Sequence, residues 1–486
     1  MGGHFKNATW SGAVTGFRAL SGLANTLLAV RLVGVEGYGH LAALLSVFVL
    51  YLSLNTSLYT VLVARLMSPS LAEDRRARSE TLASTALVTA CSLVLLISMT
   101  GMAFWIAPSF LGLVKHQGMG LAFLMMGALV AVQILAALQA AIIEASGRLD
   151  LAMKAQLFGP FVLLIMLCIS YLFHLSLTVQ DYVAMLCASA CVDLGLLWMV
   201  RRMMLRLVVL QAGASASMAR LKELLRAGGV LQATSLMNLF LEPLNKLLLN
   251  HFIGPVAVTT YDLAMKVIWG IQGLFGAAMR VFLHLAHQDG ATVGRTYTRV
   301  ISLIAVPALI MHTFGAILLS WVAHRWVNIE ASQLMIFYAI ATLSNLGMIF
   351  VTPLYTSLIG RGDLVFILRS QVTLVLTNIV ASTLFIPQMG LVGAAFGLMT
   401  ACLYNVVAVY KRHVSLCGAP VGLLDSIRNQ SWRISLIAGL FLLAISLGTA
   451  EAANAPGMTA ILIIIAVSLV REPLTTELAR RAGFRC

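Results

Sequence analysis

The stretch SQVTLVLTNIVASTLFIPQMGLVGAAFGLMTACLYNVVAVY, from Ser370 to Tyr410, decides the fold class. It places 41 uncharged residues between Arg369 and Lys411. A helix needs about 20 apolar residues to cross the hydrocarbon of a bilayer. The run therefore holds two spans, around a break at Ile386-Pro387-Gln388-Met389-Gly390. Working outward, runs free of Asp, Glu, Lys and Arg also separate Glu36 from Arg65, Glu80 from Lys115, Arg299 from Arg325 and Glu330 from Arg361. Across the 486 residues, 60% are apolar and 10% charged, and mean hydropathy is +0.94. An ordinary globular protein has roughly 45–50% and about 25%. Soluble multidomain, disordered, collagen-like and disulfide-scaffold readings are excluded. The expected fold class is all-α, a polytopic integral membrane protein.

Apolar periodicity predicts spans at roughly 8–33, 39–63, 82–107, 119–143, 155–175, 181–200, 228–252, 256–282, 300–323, 332–358, 368–386, 391–410, 434–450 and 457–470. That makes fourteen, the last two short. The net charge of +14, from 32 Lys+Arg against 18 Asp+Glu, would suggest nucleic acid in a soluble protein. Here its distribution gives another cause. With the N-terminus inside, 25 of the cations fall at cytoplasmic ends and only Lys115 and Arg325 fall outside. This is the positive-inside bias of a multi-pass protein, with both termini cytoplasmic, and it removes nucleic acid as a partner.

Other classes fall for want of residues to support them. The first apolar segment is too long for a cleavable signal and carries Arg18. The start Met1-Gly2-Gly3-His4-Phe5-Lys6 lacks the Ser or Thr that myristoylation wants. None of the seven cysteines falls in an outer loop, so structural disulfides are not expected. Cys187 and Cys191, one helical turn apart, have no His or acid at ligand spacing and read as small core residues. No glycine-rich phosphate loop ending in Lys-Ser/Thr is present. The longest outer loop, near Pro108–Gly118, is too short for the catalytic segment of a membrane glycosyltransferase. The expectation is a transporter, not an enzyme, with no metal and no cofactor other than H+ or Na+ as a coupling ion.

The chain also repeats itself. Gly147-Arg148-Leu149-Asp150-Leu151 follows the fourth span and Gly360-Arg361-Gly362-Asp363-Leu364 the tenth, each with a Gln close behind, Gln156 and Gln371. The first and seventh spans end at Gly34 and Gly254, each followed by a Tyr, Tyr38 and Tyr261. A six-helix unit returns the chain to the same side. The expectation is therefore two six-helix lobes related by a pseudo-twofold along the membrane normal, plus two C-terminal helices. The boundaries are an N-terminal lobe over 1–206, a basic cytoplasmic linker over 207–226 whose stretch Ser217–Arg226 can form an amphipathic helix, a second lobe over 227–412, and the added helices with a basic tail over 413–486.

Three segments carry a family resemblance. Arg31-Leu32-Val33-Gly34-Val35-Glu36-Gly37-Tyr38-Gly39 resembles the end of the first helix in polysaccharide (O-antigen and exopolysaccharide) flippases. Gly360-Arg361-Gly362-Asp363 before the eleventh span, and Phe385 to Ala395 before the twelfth, are similar to the same proteins. That family belongs to the multidrug/oligosaccharidyl-lipid/polysaccharide exporter superfamily. The resemblance covers most of the first 412 residues. Fourteen spans instead of twelve resemble its lipid II flippase branch.

Charges inside the bilayer mark candidate sites, because each costs about 2.5–3.5 kcal/mol on insertion scales. Arg18 lies near the middle of the first helix, with Ser21, Gly22 and Asn25 on its face. In the lipid II flippase branch a first-helix Arg faces the central cavity, and Arg18 resembles it. Arg31 is near the outer end and can snorkel. The seventh helix carries Ser235, Asn238, Glu242, Asn245 and Lys246 around Pro243, which should kink it. Glu242 and Lys246 stand at i,i+4 and can pair, as can Asp262 and Lys266 on the eighth. Arg280 lies near the cytoplasmic surface. Asp193 in the sixth span is either a salt-bridge partner or a protonatable site. Asn55, Asn345, Tyr355, Asn378 and Asn405 can meet sugar hydroxyls or hold helices together.

Five intramembrane cations against three acids favour a phosphate or diphosphate ligand, which Arg can grip bidentately. The expected substrate-binding set is Arg18, Asn25, Asn238, Lys246, Lys266 and Arg280. The ion-coupling or salt-bridge set is Glu242, Asp193 and Asp262. The resemblance implies an undecaprenyl-diphosphate-linked oligosaccharide, flipped from the cytoplasmic to the outer leaflet of a bacterial inner membrane by alternating access. Its partners would be that lipid-linked oligosaccharide diphosphate, membrane lipid, and glycan polymerase or export machinery. The alternatives are a lipid II flippase and a cation-coupled multidrug exporter.

Overall fold

The computed structural model describes residues 2–66, 75–106, 119–205, 240–279, 290–417 and 437–445, apart from Gly147, Asn328, Gly362 and Leu443, with isolated positions between 217 and 237. Every regular element among them is helical. In chain order they are α1 (Gly2–Val33), α2 (Val35–Leu66), α3 (Arg75–Ile106), α4 (Met119–Ala145), α5 (Leu149–Ala155), α6 (Phe158–Leu172), α7 (Val179–Leu205), α8 (240–252), α9 (Pro255–Met279), α10 (Gly290–Val322), a π turn (Ala323–Val327), α11 (Ala331–Gly360), α12 (Leu364–Met389) and α13 (Leu391–Cys417). A further helical piece covers 437–442. Nine stretches among the described residues are long and apolar enough to cross a membrane. The protein is thus an all-α polytopic membrane protein. The thirteenth expected span is described only in part. The fourteenth, most of the linker, Asn238 and Arg280 lie outside the described residues.

The chain forms two compact units, Met1–Thr259 and Thr260–Cys486, divided inside α9. In the first, α4 packs along α2 and α7, and α1 along α6. In the second, α13 packs along both α11 and α12. One core of the second unit gathers Tyr297, Ile301, Ile349, Leu354, Leu358, Ile367 and Val409, with the Tyr297 hydroxyl donating to the Phe350 carbonyl at 3.0 Å. Exposed Leu, Val, Ile and Phe along α3, α6 and α12, with Trp198, Met199 and Met203 on α7, are the lipid-facing surface expected where the solvent is hydrocarbon.

Local geometry repeats where the sequence does. Gly34 closes α1 at φ 87° and Gly254 closes α8 at φ 119°, and α2 and α9 begin at the next residue. Each turn needs a positive φ that a Cβ disfavours, so glycine recurs there. The fifth expected span, 155–175, differs from the reading. It is broken into α5 and α6 by a turn at Gln156 and Leu157, because Pro160 has no N–H to carry one helix through and sits best in a first turn.

Candidate functional site

The break between α5 and α6 is where Arg18 arrives. Its guanidinium donates through Nη2 to Gln156 Oε1 at 2.5 Å. The residue that precedes α6, Leu157, supplies no side-chain cap, yet the first amides of a helix need acceptors. Asp193 of α7 provides one, with the Gly159 amide donating to Asp193 Oδ1 at 2.7 Å. A carboxylate is favoured at this positive helix end. Asp193 also lies close enough to Arg18 for the two charges to attract. Only glycine fits at 159, since a Cβ there would stand 2.4 Å from Asp193 Oδ2.

Asn25 completes the cluster two turns along α1. Its Nδ2 donates to the Pro160 carbonyl at 3.2 Å, while its buried Oδ1 has no partner among the described residues. Ser21, between Arg18 and Asn25 on that face, donates to the Arg18 carbonyl at 3.2 Å. The α5–α6 turn and α7 thereby hold one arginine of α1 at partial exposure near an amide oxygen and a carboxylate. Such a group can hold an anion by exchanging the Gln156 contact for oxygens of the ligand.

The other expected residues form separate pairs. Lys246 Nζ lies 2.6 Å from Glu242 Oε1 on α8, with Lys246 nearly buried. Lys266 Nζ lies 3.1 Å from the buried Asp262 Oδ2 on α9. These contacts thus join Arg18, Asn25 and Asp193 around the start of α6, then Glu242 with Lys246, then Asp262 with Lys266. Each of these three cations has a carboxylate near it. Arg31 is exposed, and Arg280 lies outside the described residues. Among the described residues no group of three or more His, Cys, Asp or Glu could hold a metal.

The amide and tyrosine side chains offered for sugar hydroxyls have protein partners. Asn55 Nδ2 donates to the Tyr51 carbonyl at 3.1 Å, Gln371 Nε2 to Tyr355 Oη at 3.2 Å, and Ser382 Oγ to Asn378 Oδ1 at 3.3 Å. Sequence reasoning marked Gln156 as a repeat signal but not as the partner of Arg18. The two are 138 positions apart, and only packing of α1 on the α5–α6 turn joins them. A second pair of this kind, Arg201 Nη1 donating to Gln139 Oε1 at 2.7 Å, was equally hidden.

The fold has solved counterparts. The structure titled the inward-facing conformation of a multidrug resistance MATE family transporter of the MOP superfamily superposes with a TM-score of 0.67 at 16% identity, over 85% of this chain and 99% of that one. The lipid II flippase MurJ in an inward closed conformation gives 0.69 at 10% identity, over 98% and 99%. A MOP superfamily transporter from Pyrococcus furiosus, described as having a binding pocket of reversed polarity, gives 0.55 at 15% identity, over 84% and 95%. At these identities the likeness is one of fold. The sequence matches no family model and no curated protein.

Proposed function

We propose that this protein is a transporter of the MOP superfamily that flips an undecaprenyl-diphosphate-linked oligosaccharide across a bacterial inner membrane. The observation that carries the reading is the fold match to the lipid II flippase, which runs over 98% of the chain where the exporter match stops at 85%. The counterpart that spans nearly the whole chain is thus a lipid flippase. Arg18 supports the same class, as a guanidinium held in a membrane helix beside groups it can release.

In this mechanism Arg18 grips the diphosphate, with Asn25 offering its amide. Diphosphate oxygens replace Gln156 as acceptors, and the polyprenyl tail stays in lipid. Lys246 and Lys266 assist after their helix-mate carboxylates turn away, and Arg280 and Asn238 complete the set. Alternating access carries the headgroup outward. Both termini lie in the cytoplasm. Membrane potential contributes about 2.3 kcal/mol per charge per 100 mV, in the direction that drives an anion out of a negative interior.

One observation favours a second reading. With a carboxylate beside each of Arg18, Lys246 and Lys266, the chain also suits a cation-coupled exporter of cationic drugs. Complementation separates the two. Strains lacking individual envelope-glycan flippases are given the wild-type chain or Arg18→Ala. Restored glycan export by the wild type, lost in Arg18→Ala at equal expression, is the expected result. Resistance to cationic dyes without complementation of any strain would overturn it.

A further inference from the structure

A second polar centre, apart from Arg18, lies within the second unit. His312 on α10 is fully buried, among candidate spans running Ile304–Val327 and Ala331–Ile359. At 1.5 Å per residue it stands about 12 Å from one end of its span and about 22 Å from the other. Three side chains of α11 converge on it. Tyr338 Oη lies 3.2 Å from Nδ1, Thr342 Oγ1 3.3 Å from Nδ1, and Asn345 Nδ2 3.1 Å from Nε2. Positions 338, 342 and 345 share one helical face. Tyr338 also donates to the His312 carbonyl at 3.2 Å. Gly315 leaves room for this, because a Cβ there would stand 2.2 Å from the Tyr338 hydroxyl.

This arrangement fixes a neutral imidazole. With the Asn345 amide donating to Nε2, the ring proton sits on Nδ1, facing Tyr338 and Thr342. The cluster nevertheless keeps an unused acceptor, Asn345 Oδ1, buried and without a partner among the described residues. Half a turn of the amide brings Oδ1 to Nε2, where it accepts from a protonated ring. Both charge states of His312 can therefore be hydrogen-bonded by the same three residues. Packing distinguishes them, because a charge in a dry, closed site is costly. Ile437 packs with Val306, Leu309 and Ile310 of α10, and Phe441 stacks at 6.4 Å from Tyr338. On α11 Tyr338 meets the ring and Tyr355 lies further along the helix. Helix α9, whose Val267 packs at Gly315, carries Tyr261 and the pair Asp262 and Lys266. Helix α10 itself carries Arg295, Tyr297 and Arg299 more than three turns before the ring. The piece 437–442 carries none.

We infer that His312 is a proton-binding site that couples proton uptake to parting of α10 from α11. The ring takes a proton from water at Nε2 and Asn345 turns to accept it; release reverses both movements. The closed packing favours the neutral ring and the parted packing the charged one, and that difference in affinity is what couples a ligand to a conformation. Pro307, inside α10, interrupts the helix bonding five residues before the ring and gives α10 a place to bend. The flippase reading above is needed only for what the proton drives, not for the site.

The test is a pH titration of the full chain in lipid nanodiscs with 13C-labelled histidine, the His312 resonance being the one absent from His312→Gln. The expected midpoint lies between about pH 5 and 8, where a coupling proton is taken and given up. Asn345→Asp, which sets a carboxylate against the ring, should move it up by about 1 to 3 pH units. A wild-type resonance that stays neutral down to about pH 4.5 in folded protein, or a midpoint unmoved by Asn345→Asp, overturns the proposal. The readout uses protons alone. A failed complementation with a normal titration therefore counts against the flippase reading and leaves the proton site standing.

Discussion

Arg18 is held by partners of different strength, and this sets what its substitution should do. Arg18→Ala removes the charge and the hydrogen bond to Gln156. Charge-assisted hydrogen bonds are worth about 1.5–3 kcal/mol, so transport should fall by about 10- to 100-fold. Arg18→Lys keeps the charge but not the planar fork and should lie between, in a flipping assay at matched expression. The carboxylate beside it sets a second expectation, on stability. Gly159→Ala forces a methyl against Asp193, an overpacking that costs about 1–3 kcal/mol. Pairing it with Asp193→Ala opens the space, so the double variant should lose less than the sum of the singles, read as thermal unfolding in detergent. Purely additive losses would mean the two residues do not meet.

Among the elements, the turns that close α1 and α8 make a matched experiment. Gly34 and Gly254 both have positive φ and open space where a Cβ would go. Gly34→Ala and Gly254→Ala should therefore each cost about 1–2 kcal/mol from backbone strain alone, with no change in side-chain packing. A Cβ-tolerant result at either, in the same unfolding measurement, would show that the turn relaxes. These turns were legible in the sequence, because a helix that stops at a glycine and restarts one residue later leaves a local mark. The break at Gln156 and Leu157 was less legible. Pro160 was visible, but hydropathy alone cannot separate one long span from a short helix followed by another. The His312 cluster left no local mark, since its four members are spread over 33 positions of two helices.

For the whole molecule, the count of spans fixes where the C-terminus lies. Fourteen spans from a cytoplasmic start return the chain to the cytoplasm, whereas thirteen leave it outside. A C-terminal green fluorescent protein fusion should be bright, and an alkaline phosphatase fusion at the same point inactive. The opposite pair of signals would remove one of the last two helices from the membrane. Flipping should also weaken when the membrane potential is collapsed, because an anion leaving a negative interior gains about 2.3 kcal/mol per charge per 100 mV. Unchanged flipping with potassium and valinomycin present would argue that the moving complex is neutral.

By itself the sequence determined the solvent, the helical class and the recurring glycine turns. These follow from quantities that add along a chain, namely apolar run length, charge counts and recurring turns, and none needs two distant residues to meet. Tertiary structure alone decided which charges are compensated. Lys246 and Lys266 could be foreseen as i,i+4 partners of Glu242 and Asp262, but the attraction of Asp193 to Arg18 required α7 to pack near α1 across the start of α6. Net charge in a low-dielectric interior is a property of such neighbours, not of composition. That is why five cations against three acids in the sequence became, among the described residues, a carboxylate beside each of three cations.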